Sequence, residues 1–270
     1  MAAHANTGTV LDRILESRRA AVDHRKSVLP ETALKYGAKA ASPLRNFAAA
    51  LGRDGLNVIA ELKPASPSQG IIRDPFDPVA LGKSLASAGA AALSVLTEPE
   101  FFGGSLKNMR DARKEIAAPV LRKDFIFDSW QVWESRANDA DSFLLIVAAL
   151  ADLQLRELIA LGRDLGMEPL VEVHTKGELD RALAAEAQII GVNNRDLKTL
   201  NVRVETSLEL IDLIPEDRLA VAESGLSTHD DLVRLRDAGF DAFLIGEHLM
   251  RADDPADALT ELLGGSPAAE

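Results

Sequence analysis

From residue 57 onward, short apolar runs alternate with segments of helical periodicity, and this alternation restricts the possible folds more than any other feature. The apolar runs are 57–62, 91–96, 119–122, 142–147, 168–173, 188–192, 218–222 and 241–245. Each has the length of a strand, with an interior read as Val, Ile, Leu and Ala, as strands buried on both faces require. Helical patterns fall between them at about 77–88, 105–116, 129–138, 152–165, 176–185, 205–213 and 228–238, with a last one near 255–263. Eight strand–helix units in succession is the count of an α/β fold of the (β/α)8 TIM-barrel type. A doubly wound sheet would use fewer strands and place a G-x-G-x-x-G turn after the first; none of these strands is followed by one.

The residues ahead of the first strand carry no strand pattern. Val10, Ile14, Leu15 and Val22 fall at helical spacing and predict an amphipathic helix from Thr9 to about Leu29. A second helix is expected over 44–51, with Ser42 as its cap and Pro43 in its first turn. Residues 1–52 therefore read as a helical extension packed on a single barrel domain spanning 1–270. Residues 1–7 and 264–270 are small and polar and are expected to fray. The chain stops just past the eighth helix, so no fused second enzyme is expected.

Composition excludes several functions. A net charge of −12 argues against general nucleic-acid binding and against an anionic membrane surface. The absence of cysteine removes disulfides, thiolate metal sites and cysteine nucleophiles. There is no signal-peptide core and no apolar run near ~18 residues, which predicts a cytoplasmic protein without a membrane span. A monomer, or at most a weak homodimer, is expected.

Barrel active sites lie at the C-terminal ends of the strands. Those ends here carry Glu61 and Lys63, Thr97-Glu98, Lys123-Asp124-Phe125, Glu172 and His174, Asn193-Asn194-Arg195-Asp196, Glu223-Ser224-Gly225, and Gly246-Glu247. Only the fourth end, Leu144-Leu145-Ile146-Val147, is apolar. Burying an unpaired carboxylate or ammonium costs several kcal/mol, roughly. Each charge therefore pairs with another or belongs to a site, and a structural ion pair remains open for any one of them. Ser66-Pro67-Ser68 cannot continue a helix and leaves hydroxyls free for a ligand. Ser224-Gly225 and Gly246-Glu247 follow the last two strands, where barrels commonly bind phosphate through backbone N–H groups.

Glu172 and His174 have no third ligand nearby, so no metal is predicted. His4, His24, His229 and His248 read as surface or helix-cap residues, and Trp130 and Trp133 as packing.

Together these stretches resemble indole-3-glycerol-phosphate synthases. The resemblance is carried by Ile59-Ala60-Glu61-Leu62-Lys63 with Ser66-Pro67-Ser68, by Leu93 to Glu98 running on to Phe102 and Gly104-Ser105, and by Leu121-Arg122-Lys123-Asp124-Phe125. It continues through Leu144 to Val147, Val171-Glu172-Val173-His174, Ile190 to Leu197, Ala222-Glu223-Ser224-Gly225 and Ile245-Gly246-Glu247. It covers every strand in order and includes the helical extension. One departure is Pro64, where a basic residue commonly follows the lysine.

The resemblance implies a cofactor-free lyase of tryptophan biosynthesis. Its substrate would be 1-(2-carboxyphenylamino)-1-deoxyribulose 5-phosphate, closed with loss of carbon dioxide and water to indole-3-glycerol phosphate. It implies Lys123 as general acid, Glu172 as general base, and Lys63 on the substrate carboxylate or as second acid. A lysine at a barrel mouth can be tuned for proton donation. Glu61 and Glu223 would orient lysines or substrate hydroxyls, and Asn193 the anthranilate ring. Phe102, Phe125 and Leu144 or Leu145 would form the apolar slot. Arg195 would reach the substrate or pair with Asp196. Ser66, Ser224, Gly225, Gly246 and Glu247 complete the expected substrate contacts. Two other readings stay open, a sister phosphate-binding barrel isomerase and a non-catalytic phosphate-binding barrel. The extension favours the synthase, since a lid helps keep water from a dehydration.

Overall fold

All eight expected apolar runs form parallel strands, and the strands close on themselves as a barrel. The computed structural model describes residues 8–196 and 198–266. The fraying expected of residues 1–7 and 267–270, and the surface reading of His4, lie outside the described residues. In chain order the first elements are α1 (Val10–Val28), α2 (Glu31–Ala40), α3 (Phe47–Leu51), β1 (Asn57–Leu62), β2 (Ala65–Ser66), β3 (Gly70–Ile71), α4 (Pro78–Ser87), β4 (Ala92–Leu96) and α5 (Leu106–Glu115). There follow β5 (Val120–Lys123), α6 (Ser129–Ala137), β6 (Ser142–Ile146), α7 (Asp152–Asp164), β7 (Leu170–Val173), α8 (Lys176–Ala184) and β8 (Ile189–Asn193). The last are α9 (Glu205–Leu210), β9 (Leu219–Glu223), α10 (His229–Asp237), β10 (Ala242–Ile245), α11 (Glu247–Arg251) and α12 (Pro255–Leu262).

The barrel order is β1-β10-β9-β8-β7-β6-β5-β4, with β4 closing onto β1. Its register pairs Leu96 with Lys123, Ile146 with Glu172, and Asn193 with Glu223, so the charged strand ends meet on one rim. The helices start where local chemistry directs them. Asp77 caps α4 ahead of Pro78, Asp128 and Gln131 form a capping box on α6, and Thr228 and Asp231 form one on α10.

The extension departs from expectation in two places. Glu31–Ala40 is a helix that buries only Leu34 and Ala38, too few apolar positions to show as a period. It packs chiefly on α6 and, with Val22 and Trp130, makes a small second core that Trp133 borders. The helix expected over 44–51 starts later, at Phe47, with Asn46 as its cap. Residues 42–45 stay outside the helix because their polar groups are used at long range. Ser42 N donates to Asp139 Oδ1 at 2.7 Å and Arg45 N to Asp141 Oδ1 at 2.8 Å. The Arg45 guanidinium bonds the carbonyls of Ala118 and Arg113, both at 2.9 Å.

The expectation of purely apolar strand interiors fails at Arg122. This residue is fully buried, pointing from β5 into the helix layer. Its Nη2 lies 2.8 Å from Asp124 and 2.9 Å from Glu134, and its Nε donates to Thr97 Oγ1 at 3.1 Å. Arg18 of α1 donates to the same Asp124 at 2.8 Å, and Arg25 of α1 pairs with Glu134. The ion cluster therefore fastens α1 to the barrel wall near its C-terminal rim.

Candidate active site

The rim encloses a cavity of about 590 Å³. Every side chain singled out above as a candidate catalytic or binding residue lines it, apart from Leu145. Strand alternation explains that exception: Leu144 and Ile146 face in, and Leu145 faces the helices.

At its floor, Lys123 Nζ lies 3.0 Å from Glu172 Oε2 and 2.8 Å from Glu223 Oε2. A second pair stands beside it, Lys63 Nζ at 2.6 Å from Glu61 Oε1. Burial alone would push the Lys123 ammonium down. The carboxylates of Glu172 and Glu223, with Glu61 behind them, override burial and hold it well above the ordinary lysine value. Lys123 is therefore held as a cation, with a proton to give. Burial would likewise raise Glu172, but the charge of Lys123 and the His174 imidazole 3.3 Å away hold it well below the usual carboxylate range. Glu223 goes the other way. Burial pushes it up to about 7 against the pull of Lys123, helped by the charges of Glu172 and Glu61.

Phe102 and Phe125 form an apolar wall, their ring centroids 5.9 Å apart. Leu144 and Ile146 continue it, as do Val10, Leu11 and Ile14 from α1. These α1 residues carried only an amphipathic period in the sequence, which marks a buried face without saying what it faces. Arg195 pairs with Glu247 at 3.5 Å and bonds the carbonyl of Leu200, so its alternative partner Asp196 is not used. Asp196 accepts the N–H groups of Lys198 and Thr199 instead. Asn193 Oδ1 takes the N–H of Arg195 at 3.0 Å, which orients the amide at the cavity edge. Ser224 and Gly225 adopt positive φ, 69° and 78°, in the turn after β9. Gly246 opens α11, and a Cβ there would collide with Glu61.

Pro64 has a clear local role. Its carbonyl accepts the N–H groups of Ile72 at 2.7 Å and Arg73 at 3.2 Å, closing the base of the β2–β3 hairpin. Ser66 projects from that hairpin into the cavity.

One strand end that reads as chemistry-bearing, Thr97-Glu98 after β4, is not part of the cavity. Glu98 is fully buried and accepts the N–H groups of Glu100, Phe101 and Phe102, which shapes the loop that presents Phe102. Thr97 Oγ1 donates to Asp124 at 2.6 Å within the ion cluster. His248 and Arg251 of α11 do line the cavity, although His248 read as a surface or cap residue. Among the described residues, no group of three or more His, Asp or Glu is arranged to hold a metal ion.

Fold and site together define a (β/α)8-barrel enzyme with a lysine–carboxylate centre at the C-terminal ends of its strands. A family model described as indole-3-glycerol phosphate synthase matches residues 11–262. The relative of that name from Koribacter versatilis is 49% identical over 259 residues, covering 95% of this chain and 99% of its own. Its counterpart from Laribacter hongkongensis is 46% identical over 260 residues, covering 94% and 98%. The chain belongs to the indole-3-glycerol phosphate synthase family. Among solved structures, 3-hexulose-6-phosphate synthase from Salmonella typhimurium aligns with TM-score 0.63 at 12% identity, over 77% of this chain and 97% of that one. That likeness is one of barrel fold.

Proposed function

We propose that this chain, acting as one unit, is an indole-3-glycerol-phosphate synthase in which Lys123 is the general acid and Glu172 the general base. The observation that carries the reading is Lys123 Nζ held between Glu172 and Glu223 on the floor of a half-apolar cavity. The aromatic carbon bearing the carboxylate attacks the substrate ketone, and the developing alkoxide takes a proton from Lys123. Loss of carbon dioxide restores the aromatic ring. Glu172 then removes the proton whose departure expels the hydroxyl, which takes a proton from the second acid and leaves as water.

The electrostatics link the two steps. While Lys123 is charged, Glu172 is ionised but a weak base. Once Lys123 has given up its proton, the charge depressing Glu172 is gone and its basicity rises. Lys63, held by Glu61, takes the substrate carboxylate or supplies the second proton. Phe102, Phe125 and Leu144 receive the ring, with Asn193 at its edge. The backbone around Ser224-Gly225 and Gly246-Glu247 holds the phosphate, with Ser66 and Arg195 above it. The isomerase and binding-protein readings require no two lysines flanking a carboxylate-bearing ring, yet Lys63 and Lys123 both face the cavity. The proposal includes a cytoplasmic enzyme working as a monomer on a soluble phosphate ester.

The test is incubation of the protein with the carboxyphenylamino-deoxyribulose phosphate, without added metal, followed by indole fluorescence. Wild type should form product, and Glu172→Gln should lower kcat by about 10²–10³-fold. Absence of product from the wild type, or a variant within a few-fold of it, would overturn the reading. Gly191→Ala probes the same centre from behind. A Cβ at this position in β8 would collide with Glu223 Oε1 and lie 3.2 Å from Leu170. Displacing Glu223 should cost on the order of 10²-fold in kcat, with about 1–3 kcal/mol of stability lost to overpacking. Kinetics and a thermal melt on the same preparation check both numbers.

A further inference from the structure

His174 has entered so far only through its effect on Glu172, and it does not line the cavity. Its side chain is only 8% exposed and stands in the turn between β7 and α8, two residues beyond Glu172 and so on the same side of the strand. Its Nδ1 lies 3.1 Å from Glu178 Oε2, on the first turn of α8. Its Nε2 lies 3.3 Å from Glu172 Oε1, the oxygen that does not bond Lys123. The row Glu178–His174–Glu172–Lys123 thus runs from the outer helix layer to the cavity floor.

We propose that His174 is a positioning residue, an imidazolium that fixes the orientation of Glu172 and keeps it ionised after Lys123 has surrendered its proton. The inference rests on Glu172 being the base. An imidazole that bonds one carboxylate through Nδ1 and faces a second across Nε2 at ion-pair distance is favoured in its charged form. Burial would push His174 down, but the carboxylates of Glu172 and Glu178 on either side raise it to about 10. The charged groups facing the pair are Glu178 from α8, Lys123 from β5 and Glu223 from β9. Of the two cations next to Glu172, only His174 keeps its charge through the acid step. It therefore stops Glu172 from capturing a solvent proton before the base step.

A purely structural role competes, because Glu178 also accepts the backbone N–H of His174 at 2.8 Å and thereby closes the turn. Two substitutions separate the roles. His174→Asn keeps a donor near the Nδ1 position, facing Glu178, and loses the reach to Glu172. His174→Gln keeps a donor near the Nε2 position, facing Glu172. Positioning predicts a kcat loss of about 10–10²-fold for His174→Asn at little-changed KM, with several-fold recovery in His174→Gln. It also predicts an upward move of the acidic limb of the kcat–pH profile in both, since the charge beside Glu172 is gone. Equal or better activity in His174→Asn than in His174→Gln, or an unmoved limb, would overturn the proposal.

If neither variant gives a cooperative thermal melt, Glu178→Gln decides. It keeps an acceptor for the turn and removes the charge opposite His174, so the same upward move is expected and an unmoved limb refutes it. Glu172→Gln belongs in the same series. An active Glu172→Gln would remove the base and this proposal together, whereas an inactive one beside wild-type-like His174 variants would remove the proposal alone.

Discussion

Lys123→Ala is expected to lower kcat by about 10⁴-fold or more, equivalent to about 5.5 kcal/mol of transition-state stabilisation. The size of the effect follows from what the lysine does to its neighbours. Removing it deletes the proton donor and also the cation that bonds Glu172 and Glu223 and holds both in place. The acid is thus lost and the base left without one of its anchors in a single substitution. Adding Glu172→Gln to Lys123→Ala should then cost little more, far less than the product of the single losses. The variant should also show a signature in stability. In the wild type, Glu172 lies below its ordinary value of 4.5, so its contribution is present above that pH and is lost as pH falls. Without Lys123, burial and mutual repulsion raise Glu223 further and lift Glu172 from its depressed position, with His174 alone still opposing. A raised carboxylate contributes stability below 4.5 that is lost as pH rises. The gap in melting temperature between wild type and variant should therefore widen between about pH 5 and about pH 8. A constant gap, or a variant that keeps most of its turnover, would contradict the charge arrangement described.

What the sequence disclosed about the fold was set by the kind of signal each element leaves. A parallel strand buried on both faces is a run of apolar residues, and all eight runs were legible. The capped helices were legible for the same local reason. Glu31–Ala40 was not, because two buried positions make no period, and Phe47–Leu51 was misplaced because Arg45 and Ser42 answer to distant partners. The same division runs through the site. Lys123, Glu172 and Glu223 stand at strand ends, where position alone draws attention to them. Thr97 and Glu98 occupy an equivalent end and serve the loop and the ion cluster instead. The choice between cavity and wall depends on which way the rim turns after the strand. Sequence spacing does not fix that, and it left Val10, Leu11 and Ile14 of α1 without their role in the cavity wall.

Arg122→Met is expected to be the most destabilising single change outside the cavity, by about 3–5 kcal/mol, or a fall of roughly 10 °C in melting temperature. The net worth of the ion cluster is not the basis of this figure, since a buried ion set replaced entirely by apolar side chains can be neutral. The cost comes from removing one member. Asp124 and Glu134 would remain buried, each with a single arginine, Arg18 and Arg25 respectively, where each now has two. Thr97 Oγ1, Ser135 Oγ and the Gln131 carbonyl would lose a donor in the same step. Denaturant melts should show the loss, and joint replacement by Arg122→Met, Asp124→Leu and Glu134→Leu should recover part of it. The triple replacement should not recover function. Asp124 is the anchor for Arg18, and α1 carries Val10, Leu11 and Ile14 over the cavity. With that anchor gone, α1 should hold the apolar wall less firmly, and KM should rise in the triple variant even where stability returns. An unchanged KM would separate the ion cluster from the site and leave it a purely structural clamp.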